Sequence, residues 1–183
     1  MSHGACPWWL GYLLASPVRK LLQDPARILA PYVREGQTVL EPGPGMGFFT
    51  LELARRVGPG GRVVAVDIQE RMLAGLLRRA RRAGLADRIE ARLATAGSLG
   101  IGDLAGRVDL VVAFAVLHEM QDVGRIFAEL RRALAPAGRV LVAEPAGHVS
   151  EADFEATLAA ASRAGFRHEP GPPTARSLTA VLS

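Results

Sequence analysis

Asparagine is missing from this 183-residue chain, lysine occurs once, at Lys20, and cysteine once, at Cys6. A lone cysteine excludes an intrachain disulfide and any cysteine-built zinc site. Long apolar runs are missing too: nothing approaches the ~18 to 20 residues that cross a bilayer. The longest candidate, Trp8 to Ala15, follows no basic stretch and precedes no clear cleavage site, so neither a membrane span nor a signal peptide is expected. The expected compartment is the cytoplasm. No internal repeat or low-complexity tract interrupts the chain.

With lysine so scarce, arginine carries nearly all the positive charge; the formal net charge is +4 and the pI is near 10.2. A basic balance suggests nucleic acid until the positions of the charges are considered. Arg78, Arg79, Arg81 and Arg82 cluster at the end of one expected helix, and Arg131 and Arg132 near the end of another. Cations there complement the helix macrodipole and solvate an outer face, which disfavours a nucleic-acid partner. The length suits one domain with a full core. A content of 49% hydrophobic and 22% charged residues describes a globular chain rather than a disordered one.

Strand and helix signals alternate along the sequence. Asp24-Pro25 reads as an N-cap followed by proline at the first helical position, with Ile28 and Leu29 facing inward before Pro31. A strand is expected at Thr38 to Leu40. A helix after it carries Phe49, Leu51, Leu53, Ala54 and Val57 inward and is stopped by Gly58-Pro59-Gly60-Gly61. Val63 to Val66 is a continuous apolar run, as expected of a parallel strand buried on both faces, and it ends at Asp67. There follow a helix from Gln69 to Ala83, strands at Ile89 to Leu93 and Val108 to Phe114, and a helix from Asp122 through Leu134. After a turn at Gly138 comes a strand at Val140 to Ala143. The tail gives a helix from Ser150 to Ala164 and two short strand candidates, Phe166 to Glu169 and Ser177 to Leu182. This alternation predicts a single α/β domain built on a doubly wound, mostly parallel sheet with right-handed crossovers. Its ligand belongs at the C-terminal edge of the strands.

Within this pattern Thr38 to Phe49 stands apart. An apolar strand runs into an acid, Glu41, and then three alternating glycines, Gly43, Gly45 and Gly47, ahead of the helix. A turn too tight for side chains places backbone N–H groups against a ligand. The dinucleotide fingerprint needs a further glycine or alanine three positions after its second glycine. Counted from Gly43 that place is Phe48, and from Gly45 it is Thr50, so a pyrophosphate turn is disfavoured. A carboxylate beside the turn would repel phosphate and attract an ammonium or sulfonium. A strand-turn-helix without a ligand is the plain alternative.

The run Glu41-Pro42-Gly43-Pro44-Gly45-Met46-Gly47 resembles the first motif of the class I S-adenosylmethionine-dependent methyltransferases, and the resemblance covers about Gly36 to the end. It implies S-adenosylmethionine as cofactor, a Rossmann-like sheet closed by an antiparallel C-terminal hairpin, and glycines that let the chain approach the methionine moiety. In that family the acid, here Glu41, helps hold the methionine amino group. Residues 36–183 would form this domain. Residues 1–35 would form a helical extension that can act as a lid, with Cys6 to Leu14 and both tryptophans folded over the pocket.

The same resemblance implies that Asp67 accepts hydrogen bonds from both ribose hydroxyls and that Ile68 packs on the adenine or ribose edge. Capping the next helix is the other role open to Asp67. Where many members place an acid for the adenine amino group, this chain has Ala94-Thr95-Ala96-Gly97-Ser98, so that contact is unassigned. Backbone at Phe114 and Ala115 would lie under the cofactor. Members that methylate exocyclic amines of nucleic-acid bases carry Asn or Asp, then Pro-Pro and an aromatic, at this place. This chain does not, which points to the small-molecule branch. His118 is the general-base candidate because its ordinary pKa is near neutrality, with simple packing beneath the cofactor as the alternative. Glu144, at the fifth strand's end, faces the same site, where it would steer a substrate or cap a loop. His118, Glu119, Glu144 and His148 have no metal-binding spacing, so no metal is expected.

The implied function is in-line transfer of the sulfonium methyl to an unidentified small molecule. Two other classes stay open: an adenosylmethionine-binding module without its own activity, and an RNA-directed methyltransferase or accessory factor that uses the arginine clusters. Nothing in the sequence sets the oligomeric state.

Overall fold

A computed structural model of the chain describes residues 23–183. The elements in order are α1 (Pro25–Leu29), β1 (Thr38–Pro42), α2 (Thr50–Arg56), β2 (Arg62–Asp67), α3 (Glu70–Arg82), β3 (Ile89–Leu93), β4 (Val108–Phe114), α4 (Val123–Ala133), β5 (Leu134–Pro145), α5 (Glu151–Arg163), β6 (His168–Pro170) and β7 (Ser177–Leu182). Three helix starts carry a side-chain cap, including the one expected at Asp24. Asp24 accepts from the Ala26 N–H at 3.0 Å, Asp122 from Arg125 at 2.9 Å and Ser150 from Asp153 at 3.1 Å.

The strands make one seven-stranded sheet in the order β3-β2-β1-β4-β5-β7-β6. β1 to β5 pair in parallel, and β7 runs antiparallel to both β5 and β6. From β1 the chain winds outward to β2 and β3 on one side, then returns to β4 and β5 on the other. The order therefore reverses between β1 and β4, and at such a switch point the flanking connections part and leave a crevice at the strands' C-terminal ends.

Alternation of side chains along each strand divides the core in two. Val39, Val63, Ala65, Leu110, Val112 and Leu141 face α1, α2 and α3, packing with Leu29, Leu53 and Leu76. Leu40, Val64, Val66, Val111, Ala113 and Val142 face α4 and α5, packing with Phe127, Leu130 and Leu158. Each fully buried leucine contributes ~1.5–3 kcal/mol of transfer free energy. Leu29 and Val33 are buried in the first of these layers. Residues 23–35 thus pack against the body of the fold, whereas the lid expected over Cys6 to Leu14 lies outside the described residues.

Two boundaries differ from the sequence expectation. The helix after the glycine turn begins only at Thr50, because Gly43 to Phe49 is occupied by the turn itself. β5 begins at Leu134 rather than Val140. Val108 pairs with Leu134 but Leu110 with Arg139, so five steps of β5 lie opposite two of β4. Gly138 sits in this bulge rather than in a plain turn, and a Cβ there would lie 2.8 Å from the Val108 carbonyl oxygen.

Candidate active site

The turn between β1 and α2 is built by contacts from both sides. All three glycines have positive φ, 65° at Gly43, 54° at Gly45 and 82° at Gly47. Their surroundings differ. A Cβ on Gly43 would meet Val116 Cγ2 at 2.4 Å, and one on Gly47 would meet Leu76 Cδ1 at 2.4 Å, whereas one on Gly45 would have nothing within 4 Å. Gly43 and Gly47 are therefore packing positions, and Gly45 is where the backbone opens. α3 clamps the turn: Met46 packs its side chain on Gly75, and the Arg79 guanidinium donates through Nη1 to the Met46 carbonyl oxygen. One member of the arginine cluster thus serves the turn rather than an outer face.

Glu41 closes β1 beside this turn and is only 4% exposed. Its Oε2 and the Thr50 Oγ1 are both buried without a hydrogen-bond partner among the described residues. Burial pushes the carboxyl up to about 8, an effect that the adjacent Thr50 hydroxyl moderates and the Asp67 carboxylate adds to. An orphaned carboxyl in a native interior calls for a missing partner.

Asp67 closes β2 and is 9% exposed. Burial raises its pKa, against the backbone N–H groups of Gln69, Gly45 and Ile68, which favour the charged form. The Gln69 N–H lies 2.9 Å from Oδ1. Its carboxylate therefore both caps the turn into α3 and reaches the glycine turn. Ile68 is 57% exposed, and Leu93, paired with Asp67 across the sheet, is 60% exposed. Both apolar side chains are exposed at the strand ends where the expected adenine contact lacks an acid. In the segment after β3 the Ala94 N–H is used by the Asp67 carbonyl at 2.9 Å, and the Ser98 hydroxyl accepts from the Gly100 N–H at 3.2 Å.

On the other side of the switch point, β4 ends at Phe114 and Ala115. Ala115 has φ of 53°, a left-handed conformation costing ~1–2 kcal/mol in a residue with a Cβ, and its N–H bonds the Ala143 carbonyl at 2.7 Å. The Phe114 and Phe49 rings meet edge to face, 4.6 Å between centroids. Together with Ala115, Ala143, Pro145 and Ser177 they line a small open pocket, and Gln23 reaches across its rim to Ser177 Oγ at 3.2 Å.

Glu144 is 1% exposed and has both oxygens engaged. Oε1 accepts from the Leu117 N–H at 2.8 Å, and Oε2 lies 2.5 Å from His118 Nδ1. The hydrogen bond from this carboxylate raises the His118 pKa, against partial burial, and Glu119 adds to the rise. The two residues proposed separately from the sequence are thus one unit. Among the described residues no three His, Cys, Asp or Glu side chains gather to hold a metal.

A family model described as a methyltransferase domain matches residues 34–169. The chain belongs to that family. Among curated relatives, the ubiquinone/menaquinone biosynthesis C-methyltransferase UbiE of Escherichia coli is 35% identical over 112 residues, covering 61% of this chain and 44% of the relative. The arsenite methyltransferase of Halobacterium salinarum is 32% identical over 109 residues, covering 60% of this chain and 27% of the relative. The match thus spans less than half the length of either. A SAM-dependent methyltransferase from Aquifex aeolicus shares the fold with a TM-score of 0.85, at 24% identity, over 97% of both chains. The sheet is the Rossmann-like one of the methyltransferases, with its antiparallel hairpin at the C-terminal end.

Methyltransferase membership implies S-adenosylmethionine as the cofactor, and the residues present fit it. A buried carboxyl without a partner suits an ammonium, a second acid at the adjoining strand end suits hydroxyls, and backbone with open space at Gly45 permits close approach.

Proposed function

We propose that this methyltransferase moves the methyl group of S-adenosylmethionine to an organic small molecule seated in the pocket beside Phe49 and Phe114. The Glu41 carboxyl carries the reading: it is buried, it lies beside the Gly43 to Gly47 turn with Oε2 lacking a partner among the described residues, and burial disfavours its charged form, which a cation would restore. Glu41 would hold the amino group of the cofactor, Asp67 the ribose hydroxyls, Gly45 the close approach, and Ile68 with Leu93 the adenine faces. Backbone at Phe114 and Ala115 would form the floor. When bound, the sulfonium supplies an electrophilic methyl group. The chain's own part is then to orient the acceptor and to keep water out, and holding two reactants in register is worth several kcal/mol of the barrier.

The names of the relatives specify two kinds of acceptor, arsenite and a carbon in quinone biosynthesis. An aromatic-walled pocket in a chain whose sole cysteine is Cys6 suits the organic kind, since soft arsenic favours thiolate ligands. The test is calorimetric titration of S-adenosylmethionine into the wild type and Asp67→Ala. Hydrogen bonds to a charged group contribute ~1.5–3 kcal/mol, so the variant is expected to bind roughly ten- to a hundredfold more weakly. Unchanged affinity would refute the assignment of Asp67.

A further inference from the structure

The pocket beside Phe49 and Phe114 has two unlike walls. One is apolar: the two phenyl rings in edge-to-face contact, with Ala143 and Pro145 from the end of β5. The other is polar and comes from the β6–β7 hairpin, which brings in Thr174 and Ser177, and from Gln23 ahead of α1. Both walls hang from the end of β5 through left-handed backbone. Ala115, which lines the pocket, and Arg176, next to Ser177, have φ of 53° and 55° and are the two residues other than glycine with positive φ among the described residues. The Ala115 N–H donates to the Ala143 carbonyl at 2.7 Å, and the Arg176 carbonyl accepts from the Ala146 N–H at 2.9 Å. A conformation that a Cβ disfavours persists where its surroundings hold it, and such positions gather at ligand sites. Glu144 alternates with Ala143 and Pro145 along β5, so it and its partner His118 lie toward the other face of the sheet, with Val142. Every described side chain that lines the pocket is thus uncharged.

The polar wall has a definite sense. Ser177 Oγ donates to the Ala175 carbonyl at 3.3 Å and accepts from Gln23 Nε2 at 3.2 Å, and Thr174 Oγ1 donates to the Pro172 carbonyl at 3.2 Å. A hydroxyl has one hydrogen to give and two lone pairs, so both oxygens keep acceptor capacity. Resting on the methyl-transfer reading above, we propose that Ser177 and Thr174 select the methyl acceptor, with Gln23 positioning Ser177, and that the acceptor is an uncharged aromatic compound carrying a hydroxyl or N–H group. Its ring extends the edge-to-face packing of Phe49 and Phe114, and its polar hydrogen meets the Ser177 or Thr174 oxygen. An anionic compound would give up its water to phenyl rings and hydroxyl oxygens, with no cation among the described lining residues to replace it. A plain hydrocarbon ring would take the water from the two hydroxyl oxygens and offer them nothing in return.

The test is a fluorine magnetic resonance titration of the whole protein saturated with S-adenosylhomocysteine, the demethylated product, which leaves no methyl to transfer. The probes are 4-fluorophenol, 4-fluorotoluene and 4-fluorobenzoate at pH 7. The wild type is expected to bind 4-fluorophenol about tenfold more tightly than the other two. Ser177→Ala should weaken 4-fluorophenol by roughly three- to tenfold and leave 4-fluorotoluene unchanged, with a smaller effect of the same kind from Gln23→Ala. Phe114→Leu should weaken 4-fluorophenol and 4-fluorotoluene alike. A wild type that binds 4-fluorotoluene or 4-fluorobenzoate as tightly as 4-fluorophenol, or that holds S-adenosylhomocysteine yet binds none of the three, would overturn the proposal. So would a Ser177→Ala, Thr174→Val double variant that still holds S-adenosylhomocysteine and binds 4-fluorophenol as the wild type does. Failure of the wild type to retain S-adenosylhomocysteine or S-adenosylmethionine would instead overturn the underlying reading.

Discussion

Two glutamates end strands on the same edge of the sheet and are buried almost equally, 4% exposed at Glu41 and 1% at Glu144. Their hydrogen bonding separates them. Glu144 has a backbone N–H on one oxygen and an imidazole on the other, so its environment is complete within the chain. Glu41 has a bare oxygen beside an equally bare threonine hydroxyl. A buried polar group without a partner costs ~1–3 kcal/mol, and such a cost persists where the partner is a ligand. The β4–β5 half of the edge is thus a finished device that holds a side chain still, and the β1–β2 half is a site built for something the chain does not itself contain.

The comparison is broken most directly by removing the charge at Glu41. A carboxyl whose folded-state pKa is raised from 4.5 to about 8 lets the folded state hold a proton that the unfolded state has released. Its contribution to stability is therefore full below pH ~4.5 and is lost as pH rises through about 8. Glu41→Gln should flatten this decline. Denaturant unfolding of the cofactor-free protein at pH 8 should find the variant more stable than the wild type, by on the order of a few kcal/mol. Parallel curves for the two proteins would show that Glu41 is not strained by its site.

A smaller effect sharpens the division within the turn. Gly43→Ala meets both a positive φ and the Val116 methyl at 2.4 Å, so it should destabilise the fold by ~2–4 kcal/mol. Gly45→Ala meets the same backbone strain but open space, and should cost only ~1–2 kcal/mol while placing a methyl where the ligand approaches. Thermal unfolding read beside cofactor titration distinguishes them: equal destabilisation would remove the distinction between packing and open glycines.

What the sequence revealed follows from what is contiguous in it. Glu41, the glycines and their strand lie within a few residues of one another, and Asp67 ends a run too apolar to be anything but a buried strand; both were legible. The three glycines look alike as letters, however, and only Val116 and Leu76, from distant elements, show that two of them pack and one opens. Arg79 meets Met46 from 33 residues away, so the arginine cluster looked uniformly external. Thr50 gave no signal, since its meaning depends on facing Glu41. His118 and Glu144 were each visible as candidates, but their pairing across 26 residues depends on strand register, which no local pattern encodes. β5 was expected to start late because Ala-Pro-Ala-Gly does not read as a strand, and the bulge that accommodates it is a tertiary feature.

Calorimetric titration of S-adenosylmethionine at pH 7, repeated in buffers of different ionisation enthalpy, tests the central claim most directly. At that pH Glu41 of the free protein is mostly protonated, so binding of a cationic ligand against it should release about one proton from the wild type and none attributable to this site from Glu41→Gln. No binding at millimolar concentration, or the same proton release from both proteins, would contradict the account.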